Sequence, residues 1–96
     1  MVIAMKKPYE HFQIDEHKFL RTFRSKNVED EDLVWHRDEN ERLIYVIHVD
    51  TGWSFQRDNK LPQEMVSNKT VIRIKAGEYH RIIKGDGVCV LYIEEK

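Results

Sequence analysis

The sequence predicts an all-β fold, a sandwich or barrel of short strands. Two observations support this prediction. Hydrophobic residues alternate with polar ones along most of the chain, which is typical of strands with one buried face. Turn signals recur about every eight to twelve residues, a spacing typical of all-β sandwiches and barrels. We expect one domain over residues 1–96, with an N-terminal arm at about 1–17 and the barrel at 18–96.

The N-terminal part of the chain contains one weak helical signal and one strand pattern. Residues 9–16 are the only stretch that favours a helical turn. Residues 18–24 form a strand pattern that places Phe19, Arg21 and Phe23 on one face. A chain of this size hides only about 60–65% of the surface that its unfolded state exposes, so we expect a homodimer that uses the region of residues 19–24.

Strands and turns alternate along the rest of the chain. Residues 42–49 are apolar on both faces, which predicts a strand that is covered on both sides. Glycine, aspartate and asparagine mark the turns that follow it. Further strands are predicted at residues 53–56, 70–75, 79–83 and 88–93, with turns at 50–52, 57–60 and 84–87.

Composition argues against several classes of function. The formal net charge is -1 and no long basic run exists, so nucleic-acid binding has no electrostatic basis. No apolar run approaches the length of a membrane span, and the first residues are too few for a signal peptide. We therefore expect a cytoplasmic protein that does not bind membranes. The single cysteine, Cys89, lies in an apolar strand pattern, which predicts a buried and unreactive thiol.

Histidine and carboxylate side chains occur at two places that would converge in a barrel. His36 opens one segment, and His80 follows a glycine turn in the second half of the chain. On an unbroken strand Asp38 shares the face of His36 and Glu41 points away, but one β-bulge would reverse this. Asp38 and Glu41 therefore both remain candidates. Two imidazoles and a carboxylate can bind a divalent metal, and we expect one ion of Fe, Zn, Ni or Mn.

A second interpretation uses the same pocket without a metal. Arg42 shares the face of Asp38, and a buried guanidinium needs an acceptor, for which Asp38 or Glu78 is a candidate. The guanidinium fork of Arg42 could also hold the carboxylate of a small acidic molecule. His48 lies on the same face, and Gln56 alternates with aromatic residues on a strand that could line the pocket. A third interpretation is a structural or interaction protein without catalytic function.

These segments resemble the two motifs of the cupins. Residues 75–80 are similar to the second motif, with its glycine and histidine, and His36 with Asp38 is similar to part of the first. The resemblance covers about residues 33–93. It implies a cupin-like antiparallel β-barrel of the jelly-roll (double-stranded β-helix) type, commonly found as a homodimer.

Within the cupins, the string that begins at His36 resembles that of the 3-hydroxyanthranilate 3,4-dioxygenases. That resemblance implies a non-haem iron enzyme with a His, Glu, His metal set, or more broadly a metal-dependent dioxygenase or isomerase. His36 and His80 match the two histidines. Arg42 stands at the position of the glutamate, and an arginine cannot bind a metal cation. The chain therefore departs from the family pattern at one metal ligand.

Overall fold

The computed structural model describes residues 8–29 and 32–96. Within these ranges the chain forms eight β-strands and a short 3-10 turn at Ser25–Asn27, and no helix is long and apolar enough to cross a bilayer. The strands are β1 (Glu10–Gln13), β2 (Lys18–Arg24), β3 (Arg42–Val49), β4 (Ser54–Arg57), β5 (Gln63–Glu64), β6 (Val71–Ile74), β7 (His80–Ile83) and β8 (Val88–Glu95).

The strands form two antiparallel sheets. The larger sheet has five strands in the order β1-β2-β8-β3-β6, and the smaller has three in the order β5-β4-β7. Over the described ranges no strand ladder joins the two sheets, so the predicted closed barrel is replaced by a sandwich. The all-β prediction is confirmed, and the antiparallel two-sheet arrangement is consistent with a jelly-roll.

One hydrophobic core lies between the sheets. Strand alternation places every second residue of β2, β6 and β8 inside, as the period-two pattern predicts. The buried members of the core are Phe19, Phe23, Ile44, Val46, Trp53, Phe55, Met65, Ile72, Ile74, Cys89, Leu91 and Ile93. Burial raises the pKa of the Cys89 thiol to about 12, so the thiol stays protonated and unreactive at neutral pH, as predicted.

Strand β3 differs from its prediction because only one of its faces is covered. Ile44 and Val46 are buried, but Ile47 on the other side is exposed. On that outer face Tyr45 contacts Tyr92 of β8, with ring centroids 5.7 Å apart. The apolar outer residues therefore pack across neighbouring strands of the same sheet, and no second layer covers them in the described chain.

The predicted helical turn at residues 9–16 is wrong. Glu10–Gln13 instead pairs antiparallel with β2, which satisfies its backbone groups through a strand ladder. Strand β2 therefore has β1 on one side and β8 on the other. Both backbone edges of β2 are thus paired within the described chain. The homodimer that uses the region of residues 19–24 stays a prediction.

Asp50 closes the end of the β3–β8 pair. Its backbone N–H donates to the Val88 carbonyl at 2.9 Å, and its Oδ2 accepts from the Val88 N–H at 2.8 Å. The Nε2 of His48 lies 3.0 Å from Asp50 Oδ1. The hydrogen bond from the Val88 N–H, with a smaller contribution from His48, lowers the pKa of Asp50.

This contact predicts a loss of stability in acid. The lowered pKa means that the unfolded chain binds the proton more readily, so the contribution of Asp50 is present at neutral pH and is lost as pH falls. We expect Asp50→Asn to reduce the pH dependence of the urea midpoint between about pH 5 and pH 2. Asp58→Asn, at an exposed turn residue whose carboxylate makes no hydrogen bond within the described chain, is the control. An unchanged slope in Asp50→Asn contradicts the prediction.

Candidate metal centre

His36 and His80 lie side by side because their backbones form an antiparallel bridge. The N–H of His36 donates to the His80 carbonyl at 3.0 Å, and the N–H of His80 donates to the His36 carbonyl at 2.9 Å. Directly paired residues of antiparallel strands project to the same side. The two imidazole centroids are accordingly 4.3 Å apart. His80 is buried, whereas the ring of His36 is partly open to solvent.

Asp38 joins the two imidazoles. Its carbonyl accepts a hydrogen bond from the Gly77 N–H at 2.9 Å, which holds the segment against the turn before His80. Its Oδ2 lies 3.2 Å from His80 Nε2, and its Oδ1 lies 4.0 Å from His36 Nε2. One donor atom from each of the three residues lies within 4.8 Å of the other two. The structure thus brings together three of the four predicted metal ligands.

Backbone carbonyls decide which nitrogen of each imidazole carries the proton. His80 Nδ1 lies 2.8 Å from the Glu78 carbonyl, and His36 Nδ1 lies 3.0 Å from the Val34 carbonyl. A carbonyl only accepts, so each Nδ1 must be protonated to make its bond. In the neutral imidazoles both Nε2 atoms then present lone pairs, and these lone pairs face the carboxylate of Asp38.

The carboxylate is left with an unsatisfied oxygen. Asp38 Oδ2 is buried and accepts no hydrogen bond from any described residue, although His80 Nε2 is close. Two lone pairs that face each other at this distance repel, so a proton or a metal cation is required between them. Burial alone would raise the pKa of Asp38, but a hydrogen bond from His80 when its Nε2 carries a proton, the charge of Arg42 and the charges of the two histidines when protonated outweigh it, and the pKa is lowered. The carboxylate is therefore ionised at neutral pH.

Arg42 is held by two carboxylates at the edge of this group. Its Nη1 lies 3.2 Å from Asp38 Oδ1, and its Nε donates to Glu95 Oε2 at 2.8 Å. A fully extended chain would separate Arg42 from Asp38, but the chain bends between them, just before β3 begins. The other predicted partner, Glu78, binds Arg57 instead. The charge of Arg42 is thus offset by a carboxylate on each side of its guanidinium.

Comparison with known proteins supports the fold. No family model matches the sequence, and no curated protein matches it. Among solved structures, a cupin domain from Bordetella pertussis Tohama I is 17% identical, with a TM-score of 0.60 over 97% of this chain and 99% of that chain. The chain has a cupin-like fold. Protein NMB1881 from Neisseria meningitidis is 11% identical, with a TM-score of 0.60 over 97% of this chain and 87% of that chain. At these identities the likeness concerns the fold alone.

A cavity of about 360 Å³ opens beside the three candidate ligands of this cupin-like fold. Its size falls in the range of small-molecule sites. The charged and imidazole side chains in its lining are Arg21, Asp32, His36, Asp38, Arg42 and His80. The apolar wall includes Phe23, Leu33, Ile44, Phe55, Met65, Ile72, Ile82, Leu91 and Ile93. The cavity can therefore take a small molecule with an apolar body that reaches the polar group.

Three predicted site residues do not line this cavity. Glu41 accepts from Arg73 at 3.3 Å on the outside of the sheet, so the bulge that would have turned it inward does not form there. The observed irregularity lies further along β3, between Val46 and His48, and His48 is exposed beside Asp50.

Gln56 is the third of these residues. Its Oε1 accepts from Arg81 and its Nε2 donates to the Lys60 carbonyl, both at 2.9 Å. Phe55, the residue before it, is buried in the core, so alternation turns Gln56 to the outer face of the small sheet. The prediction that Gln56 and His48 contribute to the pocket is therefore not supported by their positions.

Sequence reasoning missed two residues at the site, Arg21 and Glu95. The signal for Arg21 was present, because it alternates with Phe19 and Phe23 on the inner face of β2, where a charge is unusual. Glu95 carried no comparable signal, since its role follows from the register that places Arg42 opposite the end of β8.

Proposed function

We propose that this cupin-like protein binds one divalent metal ion through His36, Asp38 and His80 and acts on a small molecule in the adjoining cavity. The observation that carries the proposal is the buried Oδ2 of Asp38, which lacks a hydrogen bond and faces the lone pair of His80 Nε2. A metal cation would satisfy both atoms at once.

The donor set fits such an ion. Two imidazoles and one carboxylate suit Fe, Zn, Ni or Mn, and three protein ligands leave positions open for a substrate. When bound, a metal of this kind supplies Lewis-acid or redox chemistry. The Nδ1–H bonds to the Glu78 and Val34 carbonyls fix the imidazoles in the tautomer that metal binding requires.

The neighbouring residues would support the ion without touching it. Arg42 holds Oδ1 of Asp38, which orients the carboxylate and leaves Oδ2 directed at His80. Glu95 holds the other side of the Arg42 guanidinium and offsets its charge. Apolar walls keep water away from one side of the site, which strengthens electrostatic interactions inside it.

For the reaction class we propose oxygenation or isomerisation of a small molecule. The resemblance to the 3-hydroxyanthranilate 3,4-dioxygenases supports oxygenation, but here the third ligand is Asp38 and the position of the family glutamate is Arg42. The alternative of a metal-free site built on Arg42 has weaker support, because two carboxylates already hold that guanidinium.

Elemental analysis of protein purified without an affinity tag or chelator tests the proposal. We expect about one metal ion per chain in the wild type and near none in His80→Ala, because the loss of one of three ligands removes most of the affinity. His48→Ala, at an exposed histidine outside the cavity, should keep the metal. Absence of metal from the wild type after incubation with Fe(II), Zn(II), Ni(II) and Mn(II) would overturn the proposal.

A further inference from the structure

Arg21 places a second guanidinium in the cavity. It lies on the inner face of β2 between the buried Phe19 and Phe23. Its guanidinium carbon is 4.2 Å from the centroid of the Tyr9 ring and 4.8 Å from that of Phe19. These aromatic faces fix the plane of the guanidinium, so the charged group is positioned before any ligand arrives.

Within the described residues Arg21 has no carboxylate partner. Its Nε donates a long hydrogen bond, 3.4 Å, to His11 Nδ1, and no described residue accepts from its two Nη groups. No acidic side chain of the described chain lies within ion-pair distance of it. Arg42 differs, because Asp38 and Glu95 both hold it. Of the two guanidinium groups in this cavity, that of Arg21 is therefore the one free to bind an anion.

Burial makes this unpaired charge costly. The partly buried guanidinium loses hydration, which lowers the pKa of Arg21, yet an arginine stays charged at any physiological pH. A desolvated charge without a partner costs free energy that an incoming anion would recover. The Nη groups also have the geometry for two parallel hydrogen bonds to a carboxylate.

We propose that Arg21 binds the carboxylate of a small acid whose apolar body lies in the cavity between Arg21 and the His36–Asp38–His80 group. This inference rests on the proposed function, in which the metal site acts on the other end of the bound acid. It adds the substrate class, a small carboxylic acid. Arg21 is the binding residue for the acid group, in place of Arg42, which the sequence suggested.

The experiment compares two probes of the same shape, benzoate and the neutral benzamide. Affinities are measured by titration while spectra that include arginine Nε–H resonances are recorded. We expect wild-type protein to bind benzoate about tenfold to hundredfold more tightly than benzamide, the effect of a charge-assisted bidentate contact. The Arg21 Nε–H resonance should shift with benzoate and not with benzamide. The preference should disappear in Arg21→Gln and be only partly kept in Arg21→Lys, which retains the charge but loses the fork.

Arg24→Gln is the matched control, since Arg24 lies on the same strand but binds Glu10 at the surface. It should keep the preference for benzoate. Equal affinity for the two probes in wild-type protein, or a preference that persists in Arg21→Gln, overturns the inference. Metal content is measured on the same samples. A wild-type protein without metal that still prefers benzoate through Arg21 would overturn the proposed function and leave the inference standing. A wild-type protein that holds metal but shows no preference for benzoate would overturn the inference and leave the proposed function standing.

Discussion

Replacement of Gly85 by alanine is expected to lower the free energy of unfolding by about 3 kcal/mol or more. A Cβ at this position would lie 2.4 Å from both the Thr51 carbonyl oxygen and the Trp53 backbone nitrogen, and 2.5 Å from the Gly52 carbonyl carbon. These are backbone atoms of the facing turn and cannot rotate away as a side chain can. Relief of the overlap requires the two turns to move apart.

Such a movement would disturb the end of the core. The Asp86 N–H donates to the Thr51 carbonyl at 2.8 Å, and the fully buried Trp53 donates from Nε1 to the Asp86 carbonyl at 2.7 Å. A Gly85 that moves outward would strain both hydrogen bonds and the packing of Trp53. Chemical unfolding monitored by tryptophan fluorescence measures the loss and also reports the environment of Trp53.

Gly77→Ala measures the cost of backbone conformation without steric overlap, and so serves as the comparison for Gly85→Ala. Gly77 has a φ of 79°, which favours glycine, but a Cβ there would meet no atom within 4 Å. We expect a loss of about 1 kcal/mol, the cost of the left-handed conformation alone. A loss in Gly85→Ala no larger than that in Gly77→Ala would contradict the assignment of Gly85 as the contact between the two turns.

The alternation of residues predicted the strands that enclose the core. Phe19 and Phe23 are buried as their spacing required, and the strand near Cys89 lies in the centre of the large sheet. The covering of β3 could not be predicted in the same way. Apolar residues on both faces indicate burial on both sides, but Tyr45 is accommodated by the cross-strand contact with Tyr92. A sequence does not reveal which strand lies next to another, so this contact was not visible in it.

The site was predicted by residue type better than by geometry. His36, Asp38 and His80 were identified from their chemistry, and the structure brings them together. The assumption of an unbroken strand from His36 through Arg42 was wrong, because the chain bends after Asp38 and β3 begins only at Arg42. Bends and bulges depend on tertiary contacts, and a shift of one residue reverses the face on which each side chain lies.

Asp38→Asn is expected to abolish metal binding while leaving the metal-free protein folded. The asparagine keeps the shape of the side chain and an oxygen that can accept from Arg42. Its amide NH₂ can donate to the lone pair of a neutral His80 Nε2, which an ionised carboxylate cannot do. The metal-free variant should stay folded but be less stable than the metal-free wild type, because the lowered pKa of Asp38 means that its ionised carboxylate stabilises the folded state.

Addition of metal should raise the stability of the wild type and leave that of Asp38→Asn unchanged. A site that binds only the folded state gains about 2.7 kcal/mol when the free metal is at a hundredfold excess over its dissociation constant. We expect the wild-type melting temperature to rise with Fe(II) or Zn(II) and to fall back with chelator, and that of Asp38→Asn to remain constant. Elemental analysis should show near one ion per chain in the wild type and near none in the variant.

Glu41→Gln is the control that decides between the two carboxylates left open by the sequence. Glu41 binds Arg73 outside the sheet, so its loss should leave both metal content and the metal-dependent rise in melting temperature unchanged. Loss of metal from Glu41→Gln with retention in Asp38→Asn would mean that the chain can turn Glu41 inward, and the assignment of the ligands would have to be reversed. Retention of metal in both variants would leave two histidines alone as ligands, a weaker set that does not account for the unsatisfied oxygen of Asp38.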